Sequence, residues 1–364
     1  MSTLFEHINL NSLSLSNRIV MAPMTRSRAN SQGIPSDMTA TYYAQRAQAG
    51  LIITEGVQPS YDGQGYPRSP GIHTQEQANA WAHIATAVHE KGGRIFMQLM
   101  HAGRVAHPLN MHPESSIVGP SEIPARTLVY TDQEGFLEPP TPKMIQTGQV
   151  LSIIREYVEA AKLAISAGFD GVELHCGSGY LPMQFLCPSS NTRTDSYGGS
   201  TINRCRFVVE LLEAMSDAIG FERIGMKISP GITFNDAHDN DPLSTYQTLI
   251  KSSAVQSLCY LHVQRPAKFL SDVMPGTDFV TNWLGIVREW YEGTLIAGGD
   301  FTPETAAKAI KSSDTDLVAF GRSFIANPDL PDRIKNGITL AEADPNTFYT
   351  PGSEGYIDYP FSHE

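Results

Sequence analysis

Short, almost continuously apolar runs alternate along the chain with segments whose apolar positions recur every three to four residues. The runs cover residues 18–22, 51–56, 94–99, 171–175, 224–229, 258–263, 294–297 and 317–320. Being apolar throughout, rather than at every second position, they read as strands covered on both faces. The clearest helical segment is 75–91, where Trp81, Ile84, Ala85 and Val88 make one stripe and Gly92-Gly93 ends it. Segments 153–166 and 203–219 are spaced alike. Thr302-Pro303-Glu304 reads as an N-cap, a proline at the first helical position and a first-turn acid. Eight strands alternating with helices predict a (β/α)8 barrel, one domain over residues 1–364. A doubly wound sheet fits less well, because no GxGxxG follows the first strand. Two long irregular stretches, 101–148 and 177–200, would emerge at C-terminal strand ends, where lids and pocket walls sit. The tail, 348–360, is rich in tyrosine and glycine and is expected to fold over a surface.

Composition narrows the class. Hydrophobic residues are 41% and charged residues 18%, which excludes a disordered chain. Against 26 basic residues stand 38 acidic ones, a net charge of −12 that disfavours nucleic acid as a partner. No run of about 20 apolar residues predicts a membrane span. The opening MSTLFEHINL lacks the basic and apolar regions of a signal peptide. Four cysteines without CxxC pairing argue against a disulfide framework or zinc site, and for reduced thiols in the cytoplasm.

Polar residues inside the apolar runs carry the candidate chemistry. Gly298-Gly299 closes the seventh strand and Gly321-Arg322 follows the eighth. Glycines let main-chain N–H groups approach an anion and arginine adds a charged fork, so a phosphate is expected there. The ligand could be a sugar phosphate or a flavin mononucleotide. The fourth strand ends in Glu173-Leu174-His175-Cys176-Gly177-Ser178-Gly179-Tyr180. His175, Ser178 and Tyr180 could converge at the barrel mouth, imidazole and hydroxyl suiting an oxyanion and the phenol suiting proton delivery to a strongly basic carbon. Lys227, in an otherwise apolar strand, is costly to bury unless it meets an anion. It reads either as a Schiff-base nucleophile or as a cation beside a ligand that becomes negative. Gln98 suits hydrogen bonding to a planar heterocycle, or satisfaction by main chain.

Together these segments resemble a known family. Asn17-Arg18-Ile19-Val20-Met21-Ala22-Pro23-Met24-Thr25-Arg26, Ala49–Glu55 read as AGLIITE, Gln98-Leu99-Met100-His101-Ala102-Gly103-Arg104, the His175-to-Tyr180 segment, FLCPSSN followed by RTDSYGG, Phe320-Gly321-Arg322, NPDL and the GYIDYP tail are similar, in order, to the Old Yellow Enzyme family of flavin-dependent ene-reductases. The pentaerythritol tetranitrate, glycerol trinitrate and N-ethylmaleimide reductase branch looks nearest. The resemblance implies a (β/α)8 barrel with non-covalent FMN at its mouth. It matches Pro23, Met24, Thr25, Gly56, Gln98, His175 and Lys227 to the flavin, and Gly298, Gly299, Gly321 and Arg322 to its phosphate. Tyr66, Met100, His175, Ser178, Tyr180 and Tyr349 match the substrate side. NAD(P)H, as NADPH or NADH, would reduce the flavin. An electron-poor alkene would then take hydride from flavin N5 and a proton from Tyr180. Three positions depart from the family pattern: Ser178 stands for a second oxyanion His or Asn, Lys227 for an Arg, and Met100 for a bulky aromatic. These departures leave open a flavoprotein acting on nitrate esters or a specialised substrate, or one binding phenols with little turnover. The implied partners are small electron-poor alkenes, with no metal, no nucleic acid and no membrane. The implied molecule is a cytoplasmic monomer or small homo-oligomer.

Overall fold

The computed structural model describes residues 1–266, 276–278 and 281–362. Eight parallel strands close a barrel in chain order: β1 Ile19–Met21, β2 Leu51–Val57, β3 Ile95–Leu99, β4 Gly171–Cys176, β5 Ile224–Ile228, β6 Tyr260–Gln264, β7 Leu295–Gly298 and β8 Leu317–Phe320. All eight lie on runs expected from the apolar pattern, with edges moved by at most two residues. Helices pack outside, including α1 Asp37–Gln45, α2 Gln75–His89, α3 Val150–Ser166, α4 Thr201–Ile219, α5 Pro242–Ile250, α6 Trp283–Trp290, α7 Pro303–Lys311 and α8 Leu330–Asn336. The α2 stripe of Trp81, Ile84, Ala85 and Val88 is fully buried, as its spacing requires. Thr302 caps α7 as expected, accepting a hydrogen bond from the Thr305 N–H.

Alternation along the strands sorts side chains between the helical ring and the barrel interior. The lower interior is apolar: Val20, Leu51, Ile53, Phe96, Tyr260, Ile296 and Leu317 meet in one cluster. Leu10 and Leu15 join it from below, on a hairpin of Ile8–Leu10 and Leu13–Leu15 that plugs the N-terminal end. The two long stretches do leave the C-terminal ends of β3 and β4, but neither is irregular throughout. The first holds a parallel pair, Val118–Gly119 with Lys143–Met144, and a hairpin, Val129–Thr131 with Gly135–Leu137. The second holds a short helix, Leu181–Leu186. Strands of two or three residues are too short to imprint a period.

The tail folds over the barrel mouth and is held by arginines. Arg28 donates to the carbonyl oxygens of Thr347, Phe348, Gly352 and Glu354 at 2.9–3.2 Å, its guanidinium 4.4 Å from the Tyr356 ring centre. Arg26 donates to Phe348 O and Gly355 O. Arg46, fully buried, donates to the carbonyls of Phe324 and Ile325 and, at 3.5 Å, to that of Tyr356 in the tail.

Candidate active site

The turn after β4 is shaped by two adjacent residues with left-handed backbone, Ser178 (φ 53°) and Gly179 (φ 76°). A Cβ on Gly179 would stand 2.5 Å from Phe234 O, so only glycine fits. Ser178 N–H donates to Ser229 Oγ at 2.8 Å, and Asn235 Nδ2 donates to Ser178 O at 2.9 Å. This turn sets Tyr180 against His175, the two rings edge to face with centres 4.9 Å apart. Both are buried. The Gly177 N–H donates to His175 Nδ1 at 3.2 Å, which assigns the imidazole proton to Nε2. Burial, with Lys227 and His262 adding to it, holds His175 well below its ordinary pKa, so the ring is a neutral donor. The Tyr180 hydroxyl lies 3.0 Å from that of Tyr66. Burial pushes the Tyr180 phenol well above its ordinary pKa, so it keeps its proton. The Ser178 Oγ makes no hydrogen bond among the described residues.

Beneath this mouth the barrel interior is polar. His175, Lys227 and His262 lie opposite one another on β4, β5 and β6, and Glu173 lies opposite Gln98 on β3. All are buried. Glu173 accepts three hydrogen bonds: Gln98 Nε2 at 2.7 Å, His262 Nδ1 at 2.9 Å and the Tyr260 hydroxyl at 3.1 Å. Gln98 is thus satisfied by a carboxylate, not by main chain. Burial alone would raise the Glu173 carboxyl, but His262, Lys227 and Gln98 outweigh it and hold the group below its ordinary pKa. Lys227 points inward and donates no hydrogen bond among the described residues. Burial lowers its pKa and Glu173 opposes that shift. His262 Nδ1 must carry the proton it shares with a carboxylate, so Nε2 is an acceptor, buried and unpartnered among the described residues.

The ends of β7, β8 and β1 come together beside this interior. Gly299 (φ 101°) could carry no Cβ, which would stand 2.5 Å from Arg265 O. A Cβ on Gly298 would stand 3.2 Å from the orphan His262 Nε2. Gly321 precedes the short helix Arg322–Ala326 and faces Met24, whose Sδ is 3.5 Å from where its Cβ would be. Pro23, Met24 and Thr25, which follow β1, are half-buried on the same side. A Cβ on Gly56 would meet Met100 Sδ at 2.6 Å, so that glycine makes room for Met100. Met100, Tyr66 and Tyr180 share a small apolar cluster. Tyr349 is 58% exposed on the tail, its carbonyl held by Arg68 at 2.7 Å.

A family model described as NADH:flavin oxidoreductase / NADH oxidase matches residues 3–341. The chain is 40% identical over 374 residues to 12-oxophytodienoate reductase 7 of Oryza sativa subsp. japonica, covering 98% of this chain and 94% of that protein. It is 42% identical over 351 residues to a probable flavin mononucleotide-dependent alkene reductase of Leishmania infantum, covering 95% and 94%. Among solved structures, the old yellow enzyme homologue from Zymomonas mobilis superposes with a TM-score of 0.93 at 34% identity, over 98% of this chain and 99% of that one. Morphinone reductase gives 0.92 at 39%, over 98% and 96%. The chain belongs to the Old Yellow Enzyme family. It is an FMN-dependent ene-reductase of that type, with NAD(P)H as reductant.

The residues present fit FMN. Gly298 and Gly299 lack the Cβ that would meet Gln264, His262 and Arg265, as a close main-chain approach to a phosphate requires; Lys227 is a buried amine that makes no hydrogen bond among the described residues, and His262 Nε2 is an acceptor suited to a ligand hydroxyl. Glu173, Tyr260, His262, Ser229, Asn235 and the tail-holding arginines were not singled out from sequence. Glu173 lies in the same apolar run as His175 at the same inward parity, and that parity was the available signal.

Proposed function

We propose that the enzyme reduces the C=C bond of α,β-unsaturated carbonyl and nitro compounds, with Tyr180 as proton donor. The observation that carries this reading is the edge-to-face packing of the buried His175 and Tyr180 rings, with the buried Lys227 next to His175 in strand register. Bound FMN would supply the redox chemistry, carrying the hydride equivalent of NAD(P)H to the alkene's β-carbon. His175 Nε2–H donates to the substrate oxygen as negative charge builds there, and Ser178 Oγ is a shorter second donor. Tyr180 holds its proton until the α-carbon becomes strongly basic, a step worth ~10²–10⁴-fold. Tyr66 and Met100 shape the substrate side and Tyr349 its rim. Gln98, Thr25, Pro23, Met24 and Gly56 hold the flavin ring with Lys227, and Gly298, Gly299, Gly321 and Arg322 hold the phosphate. Residues 1–364 act as one FMN-binding domain, a cytoplasmic monomer or small homo-oligomer that takes small alkenes and not nucleic acid.

Serine at 178, where the family pattern has imidazole or carboxamide, favours a second reading: a flavoprotein acting on nitrate esters, or binding phenols with little turnover. The purified protein is expected to be yellow, to release FMN on heating and to bleach anaerobically with NADPH. Rapid reoxidation by 2-cyclohexenone or 1-nitrocyclohexene supports the first reading. Reoxidation by glycerol trinitrate but by neither alkene supports the second and contradicts the first.

A further inference from the structure

Glu173 is a fully buried carboxylate at the centre of the barrel, and the reaction as described gives it nothing to do. Its oxygens accept from Gln98 at 2.7 Å, His262 at 2.9 Å and Tyr260 at 3.1 Å. Lys227, buried and paired in register with His175, two positions from Glu173 along the same strand face, is a basic neighbour whose charge favours the Glu173 carboxylate. Burial lowers the pKa of both His175 and His262, against the pull of Glu173 on His262. A carboxylate only accepts hydrogen bonds, so it fixes the orientation of the Gln98 amide, whose Oε1 and remaining N–H then face away from Glu173.

We propose that Glu173 is a positioning residue of the cofactor site: its carboxylate orients Gln98 and offsets the Lys227 cation, and so sets how strongly the site favours reduced, anionic FMN over oxidised FMN. The proposal rests on Lys227 and Gln98 lying at the flavin. An anion fixed near Lys227 weakens the attraction that the site exerts on charge arriving with two electrons. Without Glu173, the charge arriving on the flavin would not share Lys227 with a second anion.

The test is the FMN midpoint potential, measured in the holoenzyme by dye equilibration. Glu173→Gln keeps the shape and removes the charge. The preference for reduced over oxidised FMN is expected to rise about tenfold, a positive shift of ~30 mV for a two-electron couple. Lys227→Met is expected to shift the potential negatively. The double variant, which removes both groups, is expected near the parent value. If Glu173→Gln alone fails to fold, the comparison of the double variant with Lys227→Met still decides, because the double should lie well above it. A double variant as low as Lys227→Met, or a Glu173→Gln potential equal to or below the parent's, overturns the proposal. A Lys227→Met potential equal to the parent's overturns both the proposal and the placement of Lys227 at the flavin.

Discussion

The tail should come loose when Arg28 is removed. In Arg28→Ala the carbonyl oxygens of Thr347, Phe348, Gly352 and Glu354 lose a charged donor, and the Tyr356 ring loses the guanidinium 4.4 Å from its centre. Gly352 and Glu354 are exposed, so water takes over their hydrogen bonds and their net loss is small. Thr347 is buried, and Tyr356 is fully buried and stacked on Tyr42 at 4.2 Å, so losses there are closer to full. A net hydrogen bond of ~1 kcal/mol for each inner carbonyl and ~1–2 kcal/mol for the desolvated cation–π contact give a total of ~3–4 kcal/mol. For a chain of 364 residues that corresponds to a fall in Tm of about 4–5 °C. Arg28→Lys should recover little, because one ammonium cannot reach acceptors spread across the tail. The assay is calorimetry paired with limited proteolysis, cleavage being expected between residues 348 and 356. A variant that melts within 1 °C of the parent and resists cleavage there would show that Arg26 and Arg46 hold the tail without Arg28.

Three further outcomes follow from the site. Gly179→Ala places a Cβ 2.5 Å from Phe234 O on a residue with φ 76°; it should retain FMN but lose most alkene turnover, and full turnover would remove the turn's role in placing Tyr180. Ser178→Asn suits the left-handed backbone (φ 53°) and extends the donor, so it should raise cyclic-enone turnover; a folded, FMN-loaded variant slower than the parent would mean that serine serves a different substrate. His101, fully buried and held down to about 3, and His175, held well below its ordinary value, are neutral when folded and protonate when unfolded. Their stabilisation is complete above pH ~6.5 and lost as pH falls below it, by up to ~1.4 kcal/mol per unit for each, so Tm should decline steadily from pH 6.5 to 4; a flat profile would contradict their burial as neutral rings.

The barrel was legible because its strands are covered on both faces and read as unbroken apolar runs. Gln98, His175 and Lys227 stood out as polar interruptions of those runs, and they do face inward. Glu173 interrupted the same run as His175, yet its partners Tyr260 and His262 lie 87 and 89 residues away on β6, and only strand register brings them together. Arg26 and Arg28 grip main-chain carbonyls some 320 residues later, an interaction that leaves no trace in the identity of the partner. The terminal hairpin and the pieces within 101–148 are built from strands of two or three residues, below the length at which alternation can be read. The departure of Met100 from the family pattern was visible, but not that it is matched by Gly56, whose missing Cβ leaves room for the sulfur.

The proposed proton donor to the alkene is Tyr180. The direct test of that role is stopped-flow measurement of both half-reactions in Tyr180→Phe. Flavin bleaching by NADPH should proceed within a factor of about two of the parent, because the phenol takes no part in that step. Reoxidation by 2-cyclohexenone should slow by ~10²–10⁴-fold, the usual worth of a positioned acid. Reoxidation at the parent rate would contradict that role and leave solvent as the proton source.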